Sequence, residues 1–119
     1  MQPHERGSIS EDIAADYLLR AGWRILARRY RVNRKEVDII ARFNGTVAFV
    51  EVKARAGRGY GHPLEAVTWK KRREIEHVAS AWITRFGEPA LQYRFDAIAI
   101  TWNGNGHTIE HVEHAWLCR

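Results

Sequence analysis

The sequence lacks paired cysteines, long apolar runs and a secretion signal, and each absence narrows the class of protein. Its 119 residues include one cysteine, Cys118, so no internal disulfide can form and we expect a reducing cytoplasm. No apolar run approaches the roughly 20 residues of a membrane-spanning helix. The N-terminus has no apolar segment typical of a signal peptide, and we expect no membrane association. Repeats, low-complexity tracts and linkers are also missing, which predicts a single domain over residues 1–119.

The charge balance favours a polyanionic partner. Nineteen Lys and Arg residues against fourteen Asp and Glu give a formal net charge of +5, with an isoelectric point near 9.8. Such a balance attracts nucleic acids, but ribosomal and membrane-surface proteins share it. Charge alone therefore does not identify the partner.

Two strand-like runs joined by Asn44-Gly45 predict a β-hairpin. The runs are Glu36–Phe43 and Thr46–Lys53. Asn-Gly between alternating runs is the strongest short-range hairpin signal, and we expect positive φ at both turn positions. A two-residue turn fixes the pairing of every residue on the two strands.

The predicted register brings four charged side chains to one face of the hairpin. Asp38 would lie opposite Glu51, and Glu36 opposite Lys53, because side chains at i and i+2 share a face. The other face, with residues such as Ile39 and Val50, is expected to form the core.

The facing carboxylates suggest a cation site. Opposed Cβ atoms lie about 5 Å apart, and like charges at that distance destabilise a sheet. A divalent ion between Asp38 and Glu51, with Lys53 beside it, would remove the repulsion. Mg²⁺ suits one or two carboxylates with waters and phosphate oxygens. The alternative is a solvated hairpin in which a Glu36–Lys53 pair offsets the repulsion.

Patterns elsewhere predict two helices and three further strands. A Ser8-x-x-Glu11 capping box would open the first helix, which would end at Gly22. Pro63 suits the first turn of the second helix, which Gly87 would end. The order α-β-β-β-α-β-β predicts an α/β fold with a mixed sheet of about five strands, and the second helix permits parallel pairing of the strands that flank it. The remaining strands are expected at residues 23–31, 92–101 and 107–112, with a glycine-rich loop at 55–62.

Lys71 lies on the apolar stripe of the second predicted helix. It follows Val67 by four residues and precedes Ile75 by four. An inward lysine costs free energy unless it meets a carboxylate or a phosphate, so we predict that Lys71 faces the site. The alternative is a side chain that extends past the helix edge into solvent.

Basic residues flank the hairpin acids on three segments and could follow a phosphate backbone. A solvated charged surface would give the same pattern. Tyr60 and Trp69 lie within these segments and could stack on unpaired bases, although burial of Trp69 is equally compatible with the sequence. The predicted nucleic-acid contacts are Arg31, Arg34, Lys35, Arg55, Arg58, Lys70, Arg72 and Arg73.

The remaining polar clusters favour structural roles. His107, His111 and His114 have no cysteine partner and do not match a zinc-site spacing, so zinc is disfavoured. Asp96 lies within an apolar strand beside Arg94, which favours a structural ion pair over a catalytic role.

Several motifs resemble known nuclease families. Asp38 with Glu51-Val52-Lys53 is similar to the PD-(D/E)xK nuclease superfamily, and Glu11 on an N-terminal helix is similar to archaeal Holliday-junction resolvases. Over nearly the whole chain, the sequence resembles the bacterial YraN-like family. The motifs of that family are Glu11-Asp12-x-Ala14-Ala15-x-Tyr17-Leu18, Glu36-Val37-Asp38-Ile39-Ile40, Phe49-Val50-Glu51-Val52-Lys53, Gly61-His62-Pro63-Leu64-Glu65-Ala66-Val67, Arg94-Phe95-Asp96 and Glu110-His111.

The resemblance implies a restriction-endonuclease-like core and a nucleic-acid role. One departure is local: the family usually has Gly where this chain has Lys35, and the strand start could differ if that Gly served an unusual backbone angle.

Our leading hypothesis is an Mg²⁺- or Mn²⁺-dependent endonuclease acting on DNA, including branched or Holliday-junction DNA. Asp38 and Glu51 would bind the metal, and Lys53 would assist at the phosphate. Glu11 would contact the metal or its water, while Glu36 and Lys71 would support the site.

Two other hypotheses stay open. In one, a nucleic-acid-binding module of the same fold lacks catalysis or requires a partner. In the other, exposed Trp or Phe residues form a homodimer.

Overall fold

The computed structural model describes residues 3–117 and consists of a five-stranded sheet with two long helices. The element order confirms the predicted α-β-β-β-α-β-β arrangement, and Cys118 lies outside the described residues. No helix within residues 3–117 has the length and apolarity needed to cross a bilayer. The elements are α1 (Pro3–Arg20), β1 (Arg24–Val32), β2 (Lys35–Phe43), β3 (Thr46–Ala56), a short 3₁₀ helix (Pro63–Ala66), α2 (Trp69–Phe86), β4 (Gln92–Asn103) and β5 (Gly106–Trp116).

The strands lie in the sheet in their chain order, and one pair is parallel. β1–β2, β2–β3 and β4–β5 are antiparallel, whereas β3 and β4 run parallel from Thr46↔Gln92 to Ala56↔Trp102. Parallel strands need a crossover of a dozen or more residues. The 3₁₀ helix and α2 supply it, which confirms the predicted parallel pairing.

Both faces of the central hairpin are buried, so the core includes the predicted face of Ile39 and Val50 and the opposite face as well. Ile39 and Val50 belong to the apolar cluster that contains the α1 residue Leu18. Ile40 and Phe49 belong to the cluster that contains residues of α2, and they are fully buried as well. The two helices cover opposite sides of the sheet, so the predicted charged face is apolar for most of its length.

The first helix begins earlier than predicted. α1 starts at Pro3, which suits a first helical turn, so Ser8 and Glu11 lie inside the helix and do not form a capping box. The hydroxyl of Ser10 donates to the Arg6 carbonyl and accepts a hydrogen bond from the indole N–H of Trp102 at 2.8 Å. This buried contact ties α1 to β4.

The second helix begins later than predicted. Pro63 opens the 3₁₀ helix, and Val67 has an extended backbone that interrupts the helical path. The hydroxyl of Thr68 then accepts a hydrogen bond from the Lys71 N–H and caps α2. Gly87 ends α2, as predicted, and its N–H donates to the Ile83 carbonyl.

The hairpin register is confirmed from Phe43↔Thr46 to Ile39↔Val50. The turn itself differs from the prediction, because Asn44 has a φ of 52° but Gly45 is not among the residues with positive φ. A type I′ turn needs positive φ at both central positions, so the Asn44-Gly45 turn is not of the predicted kind.

The β1–β2 connection is the turn with two left-handed residues. Asn33 and Arg34 have φ values of 50° and 67°, whereas Lys35 is not among the positive-φ residues. The position where the family usually has Gly is therefore ordinary strand here. Left-handed backbone at a residue other than Gly costs about 1–2 kcal/mol, and less for Asn.

Replacing Arg34 by Gly should raise the free energy of unfolding by about 0.5–1 kcal/mol, because Gly adopts this φ without steric cost. Urea denaturation of both proteins measures the change. The control is Arg58→Gly, because Arg58 is also a cation but is not among the residues with positive φ. Equal effects of the two substitutions would contradict strain at Arg34.

Candidate active site

The site lies where β2 separates from β3. The paired part of the two strands ends at Ile39↔Val50. One residue further, the Asp38 carboxylate accepts a hydrogen bond from the backbone N–H of Val52 at 2.7 Å. Asp38 thereby occupies the place of the next strand–strand bond. Its carboxylate is held against β3 as the two backbones diverge.

Glu51 is buried beside Asp38. Its residue is 2% exposed, and one carboxylate oxygen, Oε1, has no hydrogen-bond partner. The other oxygen, Oε2, lies 3.4 Å from the Lys53 ammonium, whose side chain is 38% exposed. The structure therefore brings Asp38, Glu51 and Lys53 together, as the predicted register required.

Burial raises the pKa of Glu51 to about 9, and the charge of Asp38 and a hydrogen bond with its carboxylate add to the shift. The cations Lys71 and Lys53 lower the pKa by smaller amounts. Desolvation and a neighbouring carboxylate both disfavour the ionised form. At neutral pH without a metal, Glu51 is therefore protonated.

Lys71 approaches the site from the first turn of α2. Its side chain is half-buried, and its ammonium donates to the Glu36 carbonyl at 3.1 Å. The influence of Lys71 on the pKa of Glu51 places its charge near the carboxylates. The inward orientation predicted for Lys71 is the one observed.

Glu36 does not face Lys53, and this part of the predicted register was wrong. β2 has left β3 by this point and pairs with β1, where Glu36 lies opposite Arg31. The Glu36 carboxylate forms an ion pair with the Arg31 guanidinium at 3.2 Å. Glu36 therefore contributes to the site only through its backbone carbonyl, which accepts a hydrogen bond from the Lys71 ammonium.

Glu11 lies with arginines of β1. Its carboxylate is within 3.1–3.3 Å of the Arg28 and Arg29 guanidiniums. None of its contacts in the described part of the chain is with Asp38 or Glu51. The structure therefore does not bring Glu11 into the carboxylate pair.

Three of the predicted nucleic-acid contacts are engaged in interactions within the protein. Arg55 donates to Thr101, to the Gly61 carbonyl and to Glu110. Arg72 donates to two backbone carbonyls at the end of the 3₁₀ helix. Arg31 is paired with Glu36, as described above. The exposed or half-buried cations that remain are Arg34, Lys35, Arg58, Lys70 and Arg73.

The ion pair predicted for Asp96 extends into a larger network. Asp96 is fully buried, and the Arg94 guanidinium donates to both of its oxygens. His111 contacts Asp96 at 2.7 Å and Tyr17 at 3.0 Å, linking β4, β5 and α1. Neither His111 nor Tyr17 was predicted to take part, because the spacing of residues along the chain does not reveal contacts between distant elements.

The pair Asp38–Glu51 fits a hard divalent cation. The partnerless Oε1 of Glu51 is an acceptor without a donor, and a bound cation would satisfy it and relieve the repulsion by Asp38. Within residues 3–117, no group of three or more His, Cys, Asp or Glu side chains could hold a metal ion. Two carboxylates completed by waters and substrate oxygens are typical of Mg²⁺ sites.

Residues 10–100 match the model of the Uncharacterised protein family UPF0102. The chain belongs to this family. A UPF0102 protein of Chlorobium phaeobacteroides (strain DSM 266) is 49% identical over 98 residues, which cover 82% of this chain and 77% of the relative. Those of Geobacter sulfurreducens and Rhodococcus jostii are 47% and 44% identical, each over 92% of this chain and over 87% and 94% of the relatives.

Among solved structures, SfsA of Pyrococcus furiosus in complex with Ca²⁺ is similar to this chain at 16% identity and a TM-score of 0.38. The similarity covers 94% of this chain and 64% of that one.

Replacing Glu51 by Gln should stabilise the metal-free protein, increasingly as pH rises. The raised pKa means that the folded protein keeps a proton between about pH 4.5 and pH 9 that the unfolded chain releases, so wild-type stability falls across this window. Gln is neutral at every pH and removes this dependence. We expect a gain of up to about 5 kcal/mol at pH 8, at about 1.4 kcal/mol per pH unit above 4.5, and little difference near pH 4.5.

Thermal and urea unfolding with a chelator, at several pH values, measure the effect. Glu88→Gln serves as the control because its exposed carboxylate lies at the other end of the hairpin, 3.8 Å from Arg42. Parallel stability–pH curves for wild type and Glu51→Gln would contradict the raised pKa.

Proposed function

We propose that this protein is a metal-dependent endonuclease that hydrolyses phosphodiester bonds, with Asp38 and Glu51 at its centre. The observation that carries the proposal is the burial of Glu51 against Asp38, with an unsatisfied carboxylate oxygen and two lysines nearby. A fold that served only as a scaffold would gain stability from an apolar residue at position 51. Strongly perturbed carboxylates beside cations are typical of catalytic sites.

Asp38 and Glu51 would hold Mg²⁺ or Mn²⁺, which supplies Lewis-acid activation of the phosphate and a bound water of lowered pKa. The hydrogen bond from Val52 fixes the Asp38 carboxylate before substrate arrives. Glu51 would hold such a cation in its ionised form, because the positive charge would offset the desolvation and the charge of Asp38 that raise its pKa.

The two lysines have different positions and therefore different proposed roles. Lys53 is partly exposed beside Glu51, so its ammonium can reach a substrate phosphate and stabilise charge that develops there. Lys71 is anchored to the Glu36 carbonyl and keeps positive charge behind the carboxylates. We propose Lys53 as a catalytic residue and Lys71 as a positioning residue.

DNA is the proposed substrate, because the chain carries a net charge of +5 and the partly exposed Lys53 lies beside Glu51. Branched and junction DNA belong to this proposal on the strength of the motif resemblance alone. RNA would meet the same charges.

A non-catalytic nucleic-acid-binding module is the second candidate. The observation that favours it is the raised pKa of Glu51, because the metal-free site carries little net negative charge and would repel DNA only weakly. Such a module would bind DNA in a salt-dependent manner without needing a metal.

Asp38→Asn and Glu51→Gln should each lower metal-dependent cleavage by roughly 100-fold or more, since even residues that merely support metal ligands contribute 10- to 100-fold. The assay uses duplex, single-stranded, flap and four-way-junction DNA with Mg²⁺ or Mn²⁺. Circular dichroism checks that the variants are folded, and Glu88→Gln is the matched control.

Two results would contradict the endonuclease. The first is cleavage by both variants at the wild-type rate. The second is a wild-type protein that cuts no substrate on the panel while it binds DNA in a salt-dependent manner with or without metal, and this result would favour the binding module.

A further inference from the structure

Trp69 is exposed but held in place. It is 57% exposed at the start of α2, and the Arg72 guanidinium lies over its ring at 4.5 Å from the centroid. Arg72 is itself fixed by hydrogen bonds to the carbonyls of Val67 and Leu64 at 2.9 and 3.0 Å. The indole therefore rests on a rigid guanidinium, which lowers the conformational entropy lost when another ring stacks on it.

A groove of about 540 Å³ lies beside this indole. Three of its lining side chains are cations and one is an anion, so the groove is electropositive around an aromatic face. Trp69, Lys70 and Arg73 are exposed, while Lys35 and Glu74 are partly buried. The lining residues are Lys35, Trp69, Lys70, Arg73 and Glu74.

Two elements carry both groove residues and residues of the carboxylate centre. Lys35 directly precedes Glu36, whose carbonyl binds the Lys71 ammonium, and Lys70 directly precedes Lys71. The start of β2 and the first turn of α2 thus carry groove residues and site residues at successive positions. A strand with a phosphate near Glu51 could place a neighbouring nucleotide in the groove.

We propose that this groove binds an unpaired nucleotide next to the phosphate that is cut, so that the substrate is a nucleic acid with a single-stranded segment at the site. The base would stack on Trp69, and its phosphates would contact Lys70 and Arg73. A continuous duplex does not offer a base face to an external ring. The proposal rests on the endonuclease function for its position, but binding at the groove is measurable without cleavage.

Trp69→Ala should weaken binding of a flap oligonucleotide about tenfold and change binding of a fully paired duplex of equal length less than twofold. Fluorescence anisotropy in metal-free buffer with a chelator measures both affinities, because no cleavage occurs there. In the wild type, abasic sites in the unpaired segment should reproduce the loss, and Trp69→Phe should recover most of it. Phe86→Ala, which truncates an aromatic residue 47% exposed at the far end of α2, should leave both affinities unchanged.

The two exposed cations of the groove, Lys70 and Arg73, should contribute to binding through phosphate contacts. Lys70→Gln and Arg73→Gln should weaken flap binding and reduce its salt dependence, and abasic sites in the flap should not remove their effect, because these cations contact phosphates and not the base. Arg24→Gln is the control, because Arg24 is exposed and lies opposite Arg42, six residues along β2 from Glu36.

Equal losses on flap and duplex for Trp69→Ala, or no loss on either, would overturn the stacking site. A change from dimer to monomer on Trp69→Ala, seen by sedimentation with unaltered oligonucleotide binding, would also overturn it, because the indole would then belong to a protein contact.

Flap-selective binding without cleavage by the wild type would support the groove and refute the endonuclease. Cleavage of flaps by Trp69→Ala at the wild-type rate, with unaltered flap affinity, would refute the groove and leave the endonuclease intact.

Discussion

The hydrogen bond from the Val52 N–H to the Asp38 carboxylate is the contact on which the site depends. It forms where β2 separates from β3 while staying paired with β1, so a side chain replaces the backbone acceptor that a continued ladder would provide. The divergence opens space at the end of the α2-covered face of the sheet. Glu51 and Lys71 occupy that space, one from β3 and one from α2. Without the divergence, Asp38 and Glu51 would form an ordinary opposed pair and Lys71 would have no carbonyl to bind.

The site costs stability that the rest of the fold must supply. A buried carboxylate with a partnerless oxygen carries a desolvation penalty that Lys53 and Lys71 offset only in part, as the raised pKa of Glu51 shows. The apolar clusters on both faces of the sheet offset the remainder, because Ile40 and Phe49 next to the site are fully buried. An arrangement that weakens folding is maintained where function requires it.

Local patterns predicted the features that depend on neighbouring residues. The Asn44-Gly45 turn predicted the register that brings Asp38 to Glu51, and the helical spacing of Lys71 predicted its inward side chain. The misassigned features depend on tertiary partners: Glu36 does not reach Lys53 because β2 separates from β3 beyond Ile39↔Val50, and no periodicity records where two strands part. Likewise, the capping box around Glu11 fits the sequence rules, yet the helix extends back to Pro3 and arginines of β1 bind the carboxylate.

The start of α2 couples the carboxylate centre to the groove. The extended backbone at buried Val67 and the cap by Thr68 set where the helix begins. Because successive helical residues point about 100° apart, Lys71 faces the carboxylates while Trp69 and its neighbours face outward. A helix running unbroken from Pro63 would also turn Lys71 inward, because Val67, Lys71 and Ile75 lie four residues apart. The interruption instead gives the first turn of α2 a capped start at Thr68, so one turn carries both the inward lysine and the outward indole, and a change at Val67 that shifts one shifts the other.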